Sequence, residues 1–548
     1  MIKRFIWTTL LAVAFLSEVN AKTITCPTCS QSDFEYAVYN SNAAAGDTIV
    51  LPAGSATWGN SQRANSGVIY LTTSNITVQG QGDSTVITLD DSGATYANGV
   101  IAVWGAVTFQ NIKIIGSSVN PVTAFQVAAN GTFAGGFRLT NITYVGGTAQ
   151  GYFAYIGSGV NYGLIDNCRI TGNSGSTELI FGRGPTNAWQ QPNTLGGANN
   201  IFIEDCTFNN LGYVCDANSN AHFVVRYNTI NGQNKVDGHG LASNTPARSF
   251  RNMEVYGNHW TDTAASSTAI ELRGGTSMVF DNVSDNPNGS ASDWFLLTEY
   301  AYQAIWPNFG TWISNVSVGN PTTITTFGPH GLGTGWNVLI IGNKTTPAIS
   351  LATTNIVVTS PTTFTAPINV TAGGDQSNTG SIVERYMTAF DYPIADQVGV
   401  GMDPKSAASE PAYVWNNLKQ GVPWPRNFWN PAAGAISLYQ AQTGKPSATF
   451  GESDVIKSNR DFYADAGFDT NTGVSRGTTS QMNALKPPVA GYGFWVTDQG
   501  NWKSGAVGTS GQLYVWNGSG WVLKYTPYTY PHPARRPTAP SGLKVVSP

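Results

Sequence analysis

Residues 223–230 read Phe-Val-Val-Arg-Tyr-Asn-Thr-Ile, and residues 253–260 read Met-Glu-Val-Tyr-Gly-Asn-His-Trp. Laid one on the other, they share an apolar third position (Val225, Val255), an asparagine three residues on (Asn228, Asn258) and an apolar residue two further (Ile230, Trp260). The same frame fits 107–114, 137–144, 163–170, 201–208 and 277–284. There the third positions are Phe109, Leu139, Ile165, Ile203 and Val279. The next column is Ile112, Ile142, Cys168, Cys206 and Asn282, and the last is Ile114, Tyr144, Ile170, Phe208 and Ser284. Inward residues alternate along one strand, so an apolar pair spaced by three requires a corner between two short strands. Asn111, Asn141, Asn167 and Asp205 fall at that corner, and these residue types tolerate turn geometry. Equivalent positions recur every 22 to 38 residues. A coil of that length cannot bury its apolar face alone and must stack on its neighbours at the ~4.8 Å strand spacing. The pattern predicts an all-β chain built as a right-handed parallel β-helix. Asn228, Asn258 and Asn282 are expected to form an inward ladder, with Cys168 and Cys206 as stacked small core residues. An antiparallel sandwich would instead show hairpin turns every ~8–12 residues and no matching columns.

Composition agrees with a β-rich chain whose polarity is uncharged. Only 11% of the 548 residues are charged, less than half the usual share of about a quarter. The net charge of −4 gives no electrostatic footprint for nucleic acid or an anionic membrane. Lys3 and Arg4 precede an apolar run over 5–16, and Val19-Asn20-Ala21 supplies small residues for cleavage. Residues 1–21 are therefore expected to be an export signal and the protein to be secreted. No stretch reaches the ~18 apolar residues that a membrane span needs. Cys26 and Cys29 form a C-x-x-C without further zinc ligands nearby, which leaves a local disulfide or free thiols. Ser32-x-x-Glu35 has the form of a capping box ahead of Phe34, Ala37 and Val38, so an N-terminal helix is expected to cap the first coil.

The expected β-helix with its cap spans 22–311. Residues 312–383 break the coil period with alternating, almost uncharged runs and predict a small inserted β-barrel, where His330 fits a Pro-His-Gly turn better than a ligand role. The β-helix is expected to continue into an aromatic C-terminal region over 384–535, most of whose tryptophans would plug the last coil. The hairpin 511–522 turns at Asn517-Gly518, and 536–548 is a Pro-rich tail.

In a chain this poor in charge, ionisable residues gather on one strand column. Leu179 to Arg183, Tyr213 to Asp216, Val236 to His239, Ile270 to Arg273 and Phe295 to Glu299 are expected to stack coil over coil. Asp216 and Asp237 would stand one or two coils apart, a separation that suits paired carboxylates in glycoside hydrolysis. Alternatively, Arg183 or Arg273 would neutralise a uronate while His239, Lys235 or another arginine removes the proton alpha to it, which is β-elimination. His239, Arg273, Asp216 and Asp237 are the catalytic candidates, and Arg183, Lys235, Glu271 and Glu299 the substrate-binding ones. Glycines 238, 240, 274 and 275 would leave room for the ligand.

The motifs at 46–58 (GDTIVLPAGSATW), 223–230, 237–240 (DGHG), 251–260 (RNMEVYGNHW) and 270–276 (IELRGGT), with AYVWNN at 412–417 and YTPYTYPHP at 525–533, resemble those of secreted bacterial β-helix proteins of the pectate-lyase-like superfamily. That resemblance implies a polysaccharide partner and admits lyases, hydrolases, epimerases and adhesins on one fold. Gly238-His239-Gly240, with Asp216 one coil before and Arg273 one coil after, resembles the order of motifs in polygalacturonases. Cys215-Asp216 stands where those have paired aspartates, and Gly274-Gly275 where they continue to a lysine. Residues 270–276 resemble the arginine strand of alginate and chondroitin lyases. A calcium site of the pectate-lyase kind would draw on Asp216, Asp237 and Glu271, so calcium is the cofactor the resemblance brings into view. The expected function is polysaccharide binding and cleavage, elimination ahead of hydrolysis, with a non-catalytic adhesive β-helix as the rival.

Overall fold

The computed structural model describes residues 21–59, 69–73, 75–90, 99–117, 123–127, 136–147, 151–172, 179–185, 188–209, 212–232, 234–240, 249–261, 269–286 and 295–297. Beyond these it describes 313–326, 330, 332–335, 338–341, 345–347, 349, 352–353, 356–372, 382–385, 398–399, 401, 410–424, 427–428, 456–465, 473–486, 489–504 and 509–535. Residues 1–20 of the expected signal, the tail beyond Arg535, Glu299 and Trp429 lie outside the described residues, as does most of the loop after Gly240.

The chain forms the right-handed parallel β-helix. Each coil contributes two short strands that meet at a corner, as Gly163–Asp166 and Arg169–Thr171 do at Asn167, and both pair in parallel with the coils before and after. The corner backbone is left-handed at Asn111, Asn141, Asn167 and Asp205, with φ between 51° and 57°. The same conformation continues at Tyr227, Gly257, Asp281 and Asn416, so the turn is imposed by the fold even where the residue is tyrosine. Gly257 is required there for a second reason, since a Cβ on it would strike the Tyr227 ring one coil below.

Inward columns form the core. Val78, Phe109, Leu139, Ile165, Ile203, Val225, Val255, Val279 and Val414 follow one another in register, all buried. The neighbouring column carries the buried Cys168 and Cys206 and then the asparagine ladder, which reaches one rung further than expected, to Asn417. Each side-chain amide donates to the next, Asn228 to Asn258 at 2.9 Å, Asn258 to Asn282 at 3.0 Å and Asn282 to Asn417 at 2.7 Å. The same Oδ1 atoms accept from the backbone amides of Cys206, Asn228, Asn258 and Asn282, so each polar atom that is out of water is satisfied. Cys26 and Cys29 are buried free thiols, and burial pushes the Cys26 thiol up to about 11.

A second sheet of ten strands runs along the solenoid in strictly sequential parallel order, from Ile69–Leu71 to Phe295–Leu297 and then directly to Asn427–Phe428. The chain between these last two strands includes an antiparallel excursion, in which sheets of four and three strands enclose a core of Ile324, Val338, Ile356 and Phe364. His330 is buried in its turn. Its Nε2 faces the Ser360 carbonyl at 3.1 Å and its Nδ1 accepts from the Leu332 amide at 3.0 Å, which is a neutral structural imidazole.

Two expectations need correction. The cap helix Gln31–Tyr39 starts two residues earlier than the sequence motif suggested: Ser30, not Ser32, is the N-cap and accepts from the Asp33 amide. The register of the helix is set by Gln31, whose Oε1 accepts from Gly59 at 2.7 Å, and by Phe34 stacked on Trp58. The C-terminal aromatics also do not, in the main, plug the last coil. A terminal sheet of Val474–Gly477, Gly493–Val496, Gln512–Trp516 and Trp521–Tyr525 lies along the outer face of the first sheet. Trp495 and Trp502 pack there on Tyr256, Phe280 and Trp415, while Trp424 joins the interior, edge-on to Trp260.

The ladder generates a test. Asn258→Ala removes one acceptor from a buried backbone amide and one from a buried side-chain amide, each worth about 1–3 kcal/mol when left unsatisfied. The urea midpoint of Asn258→Ala should fall accordingly, and an unchanged midpoint would show that the ladder adds no net stability.

Candidate functional site

The outer side of the ten-strand sheet brings the sequence candidates together. Inward side chains at Cys215, Ala217, Val236, Ile270 and Leu272 join the core, so the residues between them point out. Gln126, Tyr155, Phe181, Asp216, Asp237 and Glu271 occupy one outward column, each in register with the next. Two residues on, Arg183, Asn218, His239 and Arg273 form a second column. Their amides donate to Ile156, Gly182, Ala217 and Gly238 of the coil before, at 2.8–2.9 Å. On the other side Tyr213 lies in register with Lys235. Successive rungs are ~4.8 Å apart, so Asp216 and Asp237 are nearest neighbours and Glu271 follows one rung later.

Three acids on successive rungs repel, and two cations offset them. Arg273 Nη2 donates to Asp237 Oδ2 at 2.5 Å, and Arg273 Nε lies 3.7 Å from Glu271 Oε1. Lys235 Nζ is bonded to Glu271 Oε2 and lies 3.8 Å from Asp237 Oδ2, with its ammonium 4.3 Å above the centre of the Tyr213 ring. Burial works against both positive charges, but Asp237 and Glu271 outweigh it and hold the protons of Arg273 and Lys235 more tightly than usual. His239 behaves oppositely: burial, then the Arg273 charge, lower its proton affinity. Its Nδ1 lies 2.7 Å from the Gly240 carbonyl, an acceptor only, so the proton of the neutral ring sits on Nδ1 and Nε2 keeps its lone pair.

Depth separates these groups. Asp216, Asp237, Glu271 and Arg273 are buried, Tyr213, Lys235 and His239 half-buried, and Arg183 exposed. The outward strip is therefore no open row of carboxylates. The acids lie beneath, Asp237 and Glu271 tied to cations, and a rim of Lys235, His239 and Arg183 stands above them. Arg183 rests over Phe181 and Tyr155, its guanidinium 5.6 Å and 6.0 Å from the ring centres, and these two rings are stacked 5.0 Å apart with Tyr152 tilted against both.

The expected room at the glycines is corrected by the same geometry. A Cβ on Gly238 would meet Phe250 and Met253, and one on Gly275, where φ is +56°, would meet the Phe250 backbone. Those two glycines serve inward packing and the turn, on the side away from any ligand. Calcium also loses its donors, because Asp237 and Glu271 are engaged by Arg273 and Lys235. Among the described residues no group of three or more His, Cys, Asp or Glu side chains is arranged to hold a metal ion. Tyr155, Phe181 and Asn218 were not singled out from the sequence. Extending the column upward would have found the first two. Asn218 stands two residues beyond Asp216, as His239 stands two beyond Asp237.

No protein-family model matches the chain, and no curated protein matches it. Among solved structures, pectin methylesterase PemA from Erwinia chrysanthemi is similar over 79% of this chain and 96% of that one, with 10% sequence identity and a TM-score of 0.30. No helix among the described residues is long and apolar enough to cross a membrane, which says nothing of strands.

Depth also sets what substitutions should do. Asp237→Ala leaves the Arg273 guanidinium buried without its nearest carboxylate, and breaking a buried pair in this way costs about 3–5 kcal/mol. Thermal unfolding of Asp237→Ala should come well below that of the parent, whereas Arg183→Ala, at an exposed position, should leave it in place. Equal melting of the two variants would mean that the strip is not the buried network described.

Proposed function

We propose that this chain is an extracellular polysaccharide-binding protein that cleaves acidic glycans by β-elimination at the rim of the ten-strand sheet. The observation that carries the reading is the division by depth: the acids are turned under, Asp237 and Glu271 paired with cations, while the accessible edge offers an exposed arginine, a lysine and a neutral imidazole. Such an edge suits an anionic polymer and repels neither its carboxylates nor its approach.

On this reading a uronate carboxylate is drawn to Lys235 and the Arg273 side of the cluster, and Arg183 grips an acidic group further along. Nε2 of His239 removes the proton alpha to the carboxylate. The bond from the β carbon to the glycosidic oxygen breaks, an unsaturated sugar end forms, and the proton passes to the departing oxygen. The cations stabilise the enolate-like intermediate. Asp237 and Glu271 act here as positioning residues for Arg273 and Lys235. Hydrolysis through Asp216 and Asp237 stands second, because both carboxylates are buried. The adhesive reading is favoured by one observation, that the buried ions are already paired. The insert over 312–383 is then a spacer or binding decoration between coils.

Incubation of the mature protein with uronic-acid polysaccharides and neutral glycans separates the readings. Ultraviolet absorbance from unsaturated ends, rising with reducing ends on acidic polymers alone, is the expected result. His239→Ala should abolish it and Arg183→Ala should raise KM with kcat nearly kept. Reducing ends without absorbance would replace elimination by hydrolysis, and silence in both would favour adhesion. The pH profile carries a sign as well. The base works when neutral and its proton affinity is lowered, so activity should survive acidification below the ordinary histidine value of 6.5 before it falls. A midpoint above that value would exclude His239 as the base.

A further inference from the structure

Away from the candidate site, the carboxyl of Glu254 joins three distant parts of the chain. It projects outward from the strand Asn252–Tyr256 and is fully buried. Oε2 accepts from the Tyr525 hydroxyl of the terminal sheet at 2.5 Å, and Oε1 accepts from the amide of Gly196, in the excursion between coils, at 2.7 Å. Gly196, with φ +72°, is pressed so closely on Thr526 that a Cβ would strike its carbonyl. Glu254 thus sits where solenoid, excursion and terminal sheet meet.

The chain leaves Tyr525 as a strap across the outer face. Arg226, fully buried, donates to the strap carbonyls of Tyr528 at 2.7 Å and Thr529 at 2.9 Å, to the Tyr256 hydroxyl at 2.9 Å, and to Glu204, 2.6 Å away. Further on, Arg535 is bonded to Asp205 and lies 3.2 Å from Glu204. The Arg226 donors are spent on these partners. Among the described residues no cation lies within ion-pair distance of Glu254. A buried carboxylate with two hydrogen bonds and no counterion is relieved either by a proton or by water.

We propose that Glu254 is a proton-controlled latch for 521–535, the last strand of the terminal sheet with the strap that follows it: protonated, it lets this segment close on the coils, and ionised, it favours an opened seat where water reaches the carboxylate. Opening would uncover the ionic and aromatic column of Asp166, Glu204, Arg226 and Tyr256.

The direction follows from linkage. Burial raises the carboxyl from 4.5 to about 7 in the closed form, against the Tyr525 and Gly196 hydrogen bonds and the Arg226 charge. A raised acid means that the closed form binds the proton more tightly. The strap is therefore held best below 4.5, and closure weakens as pH climbs from there to about 7, by up to about tenfold in the opening equilibrium per pH unit, and levels off above. The groups facing Glu254 are Arg226 and Tyr256 from the sheet and Tyr525 from the terminal sheet, none of which titrates in that window. His532 in the strap and His222, which faces Thr194 of the excursion, are pushed down to about 4 by burial and nearby arginines, so they are neutral through most of it. Asp281, also under the terminal sheet, holds its proton more tightly than usual through burial but faces Asn416, Arg476 and Lys503.

Hydrogen exchange of the full chain across this pH range, corrected for intrinsic rates, tests the latch. Amides of 521–530 should open progressively up to about 7 and then plateau, while those of Asn252–Tyr256 change less. Glu254→Gln cannot ionise, and its Oε1 can still accept from the Gly196 amide while its Nε2 donates to the Tyr525 oxygen, so most of the pH slope should vanish, whereas Asp281→Asn should retain it. Tyr525→Phe removes a bond that favours the carboxylate and should move the plateau to higher pH, which a merely structural role would not do. A strap whose protection is independent of pH in the parent chain, or a slope unchanged by Glu254→Gln, would overturn the proposal.

Discussion

Parallel stacking in register governs this molecule: every side chain meets its own equivalents ~4.8 Å above and below. An asparagine column satisfies that condition by itself, because each amide both donates and accepts, and Asn228 to Asn417 form a chain of bonds through the core. A column of like charges cannot. Wherever acids stack, counter-charges must be brought from elsewhere, and a chain with 11% charged residues does this at few places. The low charge content is thus a consequence of the fold as much as a property of the surface.

The two outer faces meet the condition differently. Asp166, Glu204 and Arg226 share one column; Arg138 of the preceding coil also pairs with Asp166, and the strap adds Arg535 and the carbonyls of Tyr528 and Thr529. That face is closed and buried. On the ten-strand sheet Asp237 and Glu271 have cations from the same sheet, Arg273 and Lys235, and Asp216 adds its charge near Arg273. The counterions there belong to the sheet itself, and His239, Lys235 and Arg183 are left at an accessible edge. Both ionic columns carry counterions from neighbouring coils, and they differ in availability because the strap also covers the first.

This distinction marks what could be read from the sequence. Columns follow backbone register, so Val225 over Val255 and Asp237 beside Glu271 could be aligned by spacing alone. What lies on top of a column is a long-range matter that periodicity does not encode. The aromatic tail was expected to plug the solenoid end because nothing near Arg226 announces a partner 302 residues away. The depth of Asp216 and Asp237 was hidden for the same reason, as was the inward duty of Gly238, which is decided by Phe250 and Met253 rather than by its neighbours in sequence. At the cap, Ser30 and Ser32 have equal local credentials, and the choice falls to the contact of Gln31 with Gly59 on the first coils.

Register also accounts for how a solenoid tolerates a large interruption. The second sheet passes from Phe295–Leu297 to Asn427–Phe428, and the first from Thr276–Phe280 to Ala412–Trp415, without losing parallel order. The entropic cost of closing a long excursion grows slowly, by about 0.6 kcal/mol for each doubling of its length. What must be specific is the point of return. Asn282 and Asn417, 135 positions apart, join side chain to side chain at 2.7 Å, and Asn417 donates back to the Val279 carbonyl at 3.0 Å. One corner away, Phe280 and Trp415 stack 4.4 Å apart and nearly parallel. A shift of one residue would still leave an asparagine, Asn416, for the ladder, but it would put Val414 against Phe280 and lose the Trp415 stack. The ladder continues the interior across the interruption, and the aromatic stack beside it marks the register in which the chain finds its coil again.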